Sequence, residues 1–364
     1  MHYDVLIVGA GITGAVHAER LAADGKKVLV VDRREHIAGN CYDYLEDGIH
    51  VHKYGPHIFH TSIERVWSYL SRFTDWHVYM HTVLASIDGT LAPLPFNFNT
   101  LYMLFPPRMA ARFEEKLTEK YEYNSKVPIA ELLKAPDEDL KFLANYVYQK
   151  VFVNYTMKQW GMSLDKLDSS VGARVPILVG RDDRYFTDKY QGIPKNGYTA
   201  LIKNILANDN IAVKTGVDFT ALPSDVTYDK LIYTGCIDEY YKFKFGNLPY
   251  RSVKFFLERH STPSYQPVAV VNYPNNYDFT RITEFRHFLS QSSDCTYLMR
   301  EYPEEHVAGK NDPIYPILTP ENDALYKQYQ EQAEADGITF TGRLGAYKYF
   351  DIDKAVDNVL AVYE

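Results

Sequence analysis

The chain has 364 residues, 24% of them charged and 46% hydrophobic, with a formal net charge of -8. That length exceeds one ordinary domain and predicts two or three lobes, each around its own core. The acidic balance argues against a general nucleic-acid binder, while leaving room for a local basic pocket that takes a phosphate. No apolar run approaches the roughly 20 residues that span a bilayer. The opening Met1-His2-Tyr3-Asp4 lacks the basic region, apolar core and cleavage site of a signal peptide, so a cytoplasmic protein without membrane insertion is expected. Cys41, Cys236 and Cys295 are odd in number and far apart. They read as reduced thiols, and neither a disulfide framework nor a metal site is expected. Tyrosine outnumbers phenylalanine by 31 to 19; its flat face and polar tip suit sugar and base contacts, although any single tyrosine reads first as a half-buried strand residue.

In chain order, residues 4–8 form an apolar run, Gly9-Ala10-Gly11-Ile12-Thr13-Gly14 a turn, residues 15–23 a helix closed by Asp24-Gly25, and residues 27–31 a second apolar run. Continuous apolar strands flanking one helix predict a parallel βαβ unit. Gly9 permits the tight turn, Gly11 lets the backbone approach a pyrophosphate, and Gly14 lets helix pack on strand. The helix N-terminus then offers free N–H groups to an anion. Asp32 closes the second strand, placed to accept hydrogen bonds from a ribose. From 106 to 160 the pattern turns helical and rich in Glu and Lys. Pro136 suits a helix start, and Leu140, Leu143, Val147 and Val151 recur on one face after it, predicting a separate helical lobe. Residues 180–185 are charged and turn-rich, a predicted mobile loop. Between 250 and 302, the runs 253–257, 267–271 and 296–299 are separated by turn residues and predict an antiparallel sheet. Residues 230–234 and 338–341 return to the first style, ending at Gly235 and Gly342, and 351–362 predict a terminal helix. The nucleotide domain is therefore expected to be discontinuous.

The stretch after Asp32, residues 33–40, resembles the extended fingerprint of the glutathione-reductase-like flavoproteins, which implies FAD rather than NAD. Three longer strings narrow the class: Tyr54-Gly55-Pro56-His57-Ile58-Phe59-His60-Thr61, Asn154-Tyr155-Thr156-Met157-Lys158-Gln159-Trp160-Gly161, and residues 342–351 from Gly342-Arg343 to Asp351. Together with residues 190–194 and 315–317, they make the chain resemble the bacterial UDP-galactopyranose mutase family along its whole length. The resemblance implies an α/β fold with a Rossmann-like FAD domain at 1–76, 208–236 and 318–364. A helical lobe at 98–172 is inserted, and a mobile loop with an antiparallel substrate sheet occupies 77–97, 173–207 and 237–317. It implies an isomerase that exchanges UDP-galactopyranose and UDP-galactofuranose without net redox change. Reduced FAD, kept reduced by NADH or NADPH, would bond the sugar covalently through its N5. A homodimer and a role in cell-surface polysaccharide synthesis are also implied.

The family's site residues carry over onto matching positions of this sequence. Arg174 and Arg281 would hold the departing diphosphate, because fixed guanidinium charge is worth more as the bond breaks. Tyr185, Tyr315 and Tyr349 would donate hydrogen bonds to it. Phe152, Tyr155, Thr156 and Trp160 match the uridine site, Asn272 and His81 lie near the substrate, and His60 is a positioning and electrostatic group beside the flavin. The cofactor would touch Gly9, Gly11, Thr13, Gly14, Asp32, Arg33, Gly39, Asn40, His57, Ile58, Val217, Gly235, Arg343, Tyr349, Asp351 and Ile352. Three departures leave the sugar open: His81 where some relatives carry Asn, Ile352 where Met is common, and Val151 where an aromatic sometimes sits. A mutase acting on UDP-N-acetyl-galactopyranose therefore stays open, as does an amine-oxidase-type flavin oxidoreductase. A flavin-binding redox sensor without activity is a third reading.

Overall fold

The computed structural model describes residues 1–161 and 176–364. The chain divides into two compact units: Met1–Tyr79 with Asp188–Ser252 and His306–Glu364, and Met80–Thr187 with Val253–Glu305.

The first unit is built on a five-stranded sheet in the order Ile211–Lys214, Val28–Val31, His2–Val8, Thr227–Tyr233, Thr339–Phe340, with parallel pairing throughout. Leu6, Ile7 and all of Val28–Val31 are buried, as unbroken apolar strands covered on both faces should be. Helix Ile12–Ala23 lays Ala15, Val16, Ala18 and Ala22 against the rest of the unit. Its approach depends on Gly14, where a Cβ would meet the Gly9 carbonyl oxygen at 1.9 Å. Gly9 adopts φ +107, and a Cβ there would collide with Thr234 Oγ1, so a side chain is excluded twice. A second, antiparallel sheet places Tyr190–Pro194 between Phe59–Thr61 and Trp76–Val78. Trp67 stacks on both Trp76 and Tyr190 with centroids 4.7 Å apart, and Phe59 lies 4.8 Å from Trp76. Asp43 caps helix Gly197–Ile205, accepting the Tyr198 and Thr199 N–H groups at 2.8 Å each.

The second unit carries a sheet in which the strand Tyr250–His260, whose first residues belong to the first unit, neighbours Thr296–Glu305. Then follow Arg281–Glu284, Val270–Asn272, Val83–Ile87 and Thr90–Leu94. Helices Phe98–Leu104, Pro107–Lys120 and Glu138–Val147 pack with it, the last started by Asp137, whose carboxylate accepts the Asp139 and Leu140 N–H groups. Leu140, Leu143, Val147 and Val151 are all buried, the stripe expected from their spacing. A π-helical segment, Tyr148–Val153, leads into helix Asn154–Trp160, which ends at Gly161 with φ +67.

The expected helical lobe and substrate sheet fall largely in one unit, where Thr100, for instance, donates its hydroxyl to the Pro93 carbonyl at 2.6 Å. Residues 188–207 belong to the first unit, held there by strand Tyr190–Pro194 and the Asp43 cap. Residues 237–252 and 306–317 join it too, through the Tyr347 hydroxyl, which donates to the carbonyls of Pro249 and Ile317. The expected lobe limit at 172/173 lies outside the described residues. Within the second unit's sheet, Val270–Asn272 pairs parallel with Val83–Ile87; alternation reports which face is buried and carries no strand direction. Finally, residues 180–185 are tied down. Arg181 grips Glu114 through two bonds, Asp183 accepts Asn97 and Asn99, and Arg184 bridges to Thr82.

Candidate functional site

Each unit holds a cleft. In the first, a cavity of 720 Å³ opens at the carboxyl ends of the parallel strands, where open α/β sheets bind their ligands. Gly9, Gly11, Thr13, Gly14, Asp32, Arg33, Gly39, Asn40, His57, Gly235, Arg343, Asp351 and Ile352 all line it. Two helix N-termini end there: Ile12–Ala23, capped by Gly11 without any side-chain bond, and Ile352–Leu360. Their unpaired N–H groups and partial positive charge suit phosphate oxygens or an electron-rich ring. The Asp32 carboxylate is held by the Ala10 N–H at 2.8 Å and the Arg34 N–H at 2.9 Å, which leaves acceptor capacity for a diol. Gly39 approaches Gly11 so closely that a Cβ would stand 3.0 Å from the Gly11 Cα. The preceding Ala38 is buried at φ +73, and its N–H bonds the Ala10 carbonyl. These glycines leave backbone, not side chain, facing the cavity, which fits a dinucleotide pyrophosphate. Burial pushes the Cys41 thiol up to about 12, so this lining residue is a neutral wall and no nucleophile at neutral pH.

Three expected cofactor residues fall outside that lining. The Val217 N–H donates to the Asp32 carbonyl at 2.9 Å, so it secures the turn after Asp32 from behind. Tyr349 stacks on Tyr315 at 5.5 Å, and the Arg343 guanidinium lies over both rings at 5.3 and 5.2 Å. Ile58 is half-buried away from the lining. Asp218, Phe219, Thr220, Glu239, Tyr240 and Pro313 line the cavity without having been foreseen. Most of them follow strand ends, so the carboxyl-edge rule held the signal. His60 is also outside the lining; its Nδ1 pairs with Asp188 Oδ2 at 2.9 Å, and Asp188 also accepts the Ser62 hydroxyl.

The second unit's cleft measures 400 Å³ and brings together Tyr155, Tyr185 and Asn272 with Leu94, Pro95, Lys126, Val151, Phe186 and Pro274 among its walls. Asn272 is buried, and among the described residues its side-chain oxygen has no hydrogen-bond partner. A buried acceptor left unmet is costly, and here it borders a cavity that a donor-bearing ligand would fill. His81 is buried behind the wall, edge-on to Tyr185 and stacked on Phe186. There it supports those two lining rings. Phe152, Thr156 and Trp160 are buried beside the cleft without lining it. Arg281 donates its Nε–H to the buried Glu301 at 2.7 Å, which fixes the direction of its guanidinium. Arg174 lies outside the described residues. Lys126 and Phe186 escaped the sequence reading, since neither sits in a string that resembles the family's. Among the described residues no three His, Cys, Asp or Glu side chains converge as a metal set, and no helix is long and apolar enough to cross a membrane.

Residues 150–349 match the family model of UDP-galactopyranose mutase, and residues 7–73 match a Rossmann-like NAD(P)-binding domain. A probable UDP-galactopyranose mutase of Klebsiella pneumoniae is 36% identical, over 98% of this chain and 93% of its own. A dTDP-fucopyranose mutase of Escherichia coli is 33% identical over 98% and 96%. The UDP-galactopyranose mutase of Mycoplasma genitalium is 34% identical over 97% and 92%. Among solved structures, a reduced UDP-galactopyranose mutase superposes with TM-score 0.73 at 17% identity, covering 100% of this chain and 94% of that one. A putrescine oxidase reaches 0.55 at 14%, covering 100% and 98%; at these identities both structures speak to the fold alone.

Proposed function

The chain belongs to the UDP-galactopyranose mutase family, and on that premise we propose that it interconverts UDP-galactopyranose and UDP-galactofuranose. FAD occupies the glycine-built cleft and the nucleotide the cleft of the second unit. The observation that carries the nucleotide assignment is the unmet acceptor of Asn272 beside the Tyr155 face. A nucleoside supplies both a π-face to stack and N–H or O–H donors to bond. FAD is supported by the family, by the two helix N-termini on the cavity and by the Asp32 carboxylate held by backbone donors. When bound and reduced by a nicotinamide nucleotide, FAD would supply an electron-rich ring nitrogen as the nucleophile.

The protein's own groups have the remaining work. Arg281, oriented by Glu301, and Arg174 hold the diphosphate as its charge develops, with Tyr185 donating its hydroxyl hydrogen. Arg343 packs on Tyr315 and Tyr349 and keeps their rings in place. Asp188 orients His60, which then acts as a local electrostatic group. The family resemblance carries the expectation of a cytoplasmic homodimer serving cell-surface polysaccharide synthesis.

A second reading follows from the dTDP-fucopyranose mutase relative: Val151, Pro95, Pro128 and Pro274 make the cleft wall apolar, which suits a methylated pyrimidine. The deciding assay purifies the yellow protein, reduces it with dithionite and follows UDP-galactofuranose by chromatography. dTDP-fucopyranose and the N-acetylated UDP-sugar run in parallel. Turnover only after reduction, with catalytic reductant, is expected. Equal turnover by oxidised protein, or a preparation without flavin, refutes the proposal, and stoichiometric consumption of an electron acceptor identifies an oxidoreductase.

A further inference from the structure

Together with Tyr155, Asn272 and Pro274 line the second unit's cleft. Those residues begin a turn that runs out to Asn276, at φ +66, and back to Thr280, whose carbonyl accepts the Tyr273 N–H at 2.8 Å. Within the turn Tyr273, Tyr277 and Phe279 pack on one another with centroids 4.9 to 5.3 Å apart, so it behaves as one piece whose distance from the helix bearing Tyr155 depends on what ties the two together. One side chain from the facing helix does so. Lys158, three residues beyond Tyr155 on helix Asn154–Trp160, sends its ammonium among three backbone carbonyls of the turn: Tyr273 at 2.5 Å, Tyr277 at 3.0 Å and Phe279 at 3.1 Å. An ammonium has three N–H donors, and here each has an acceptor. Two further bonds run in parallel: Asn154 Nδ2 donates to Asn275 Oδ1 at 2.7 Å, and Asn275 Nδ2 donates to the Lys150 carbonyl at 2.8 Å. Lys150 immediately precedes Val151 of the cleft lining, and Asn154 immediately precedes Tyr155 of it.

We propose that Lys158, seconded by Asn275, is a positioning residue that sets the span of the nucleotide cleft by fixing the Asn272–Pro274 wall against the helix bearing Tyr155. This rests on the reading of that cleft as the nucleotide site and goes beyond it, since neither residue touches the cavity. The charge is what makes the clamp strong, because ammonium–carbonyl bonds exceed neutral ones. Burial draws the Lys158 pKa down to about 8, with Asp278 opposing, so the group is still an ammonium at neutral pH. Lysine at this place reads in the sequence as an ordinary solvated cation near a helix C-terminus; only the fold brings the three carbonyls to it.

The test replaces Lys158 by methionine, which keeps the length of the side chain and removes the donors. UDP affinity is measured by titration, flavin content by absorbance, and amide exchange of the 273–279 turn by mass spectrometry, all on the flavin-loaded protein. Lys158→Met is expected to weaken UDP binding roughly tenfold, to speed exchange in the turn, and to leave flavin content and turnover at saturating substrate within about twofold. Asn275→Ala should weaken UDP binding by roughly threefold, and it decides the matter if Lys158→Met does not fold. Unchanged UDP affinity in the variants, or a turn that exchanges no faster in Lys158→Met, overturns the inference while leaving the nucleotide site standing. A wild-type protein without measurable UDP affinity instead overturns the site assignment itself, and the inference with it.

Discussion

Acidification from neutrality to about pH 5 should weaken the native protein by about 2 kcal/mol through His17 alone. His17 lies buried in helix Ile12–Ala23, the helix whose N-terminus faces the cofactor cleft. Its Nδ1 meets the Tyr363 hydroxyl at 2.7 Å, and among the described residues its Nε2 has no partner. Protonation would bury a charge and add an N–H without an acceptor. Burial, helped by the positive charge of Lys230, accordingly holds its pKa down at about 4 against an ordinary 6.5. Between those values the unfolded chain takes up a proton and the native one does not. The stabilising preference for neutral His17 is thus complete above about pH 6.5 and is lost as pH falls toward 4, roughly 3.4 kcal/mol over the whole window. His52, held at about 3 by its burial, titrates in the same direction, so the comparison must isolate one histidine. His17→Gln does this, keeping a side chain able to bond Tyr363 without a titrating ring. Urea unfolding followed by fluorescence at pH 7.5 and about pH 5 should show the wild type losing about 2 kcal/mol more than the variant. Flavin release should begin at higher pH in the wild type. Parallel losses in the two proteins would refute the argument.

Three other predictions address the clefts and their supports. Gly14→Ala should yield protein without bound flavin, read from its absorbance, because the new methyl meets the Gly9 carbonyl at 1.9 Å. Tyr155→Ala should raise the Kd for UDP by roughly tenfold, about 1.4 kcal/mol, and an effect confined to turnover rate would contradict stacking. Asp43→Ala removes the acceptor of two helix-start N–H groups and should cost about 1–2 kcal/mol, seen as a lowered Tm with the UDP affinity unchanged.

How much of this was legible in the sequence depends on how local each feature is. The glycine turn, Asp32 and the buried stripe of Leu140, Leu143 and Val147 encode their roles within a few neighbours, so spacing alone placed them. The partners that orient the expected site residues come from afar. Asp188 reaches His60 across 128 positions, and no periodicity links them. Glu301 meets Arg281 only because their strands are neighbours in one sheet. The parallel pairing of Val270–Asn272 with Val83–Ile87 and the assignment of residues 188–207 to the first unit are likewise long-range outcomes. Lys158 lies within a string that resembles the family's, yet its sequence neighbours assign it no role, since a lysine reveals its carbonyls only once the turn exists.

The order of strands in the parallel sheet has a consequence for how the protein folds. The strand His2–Val8 sits between Val28–Val31 and Thr227–Tyr233, and the sheet's last member is Thr339–Phe340. Such distant partners make assembly slow. Gly342, Arg343, Asp351 and Ile352 of the cavity wall follow that last strand in sequence. The cavity is therefore complete only when the whole sheet has paired, and until Thr227–Tyr233 docks, the apolar strand His2–Val8 has an unpaired edge open to association.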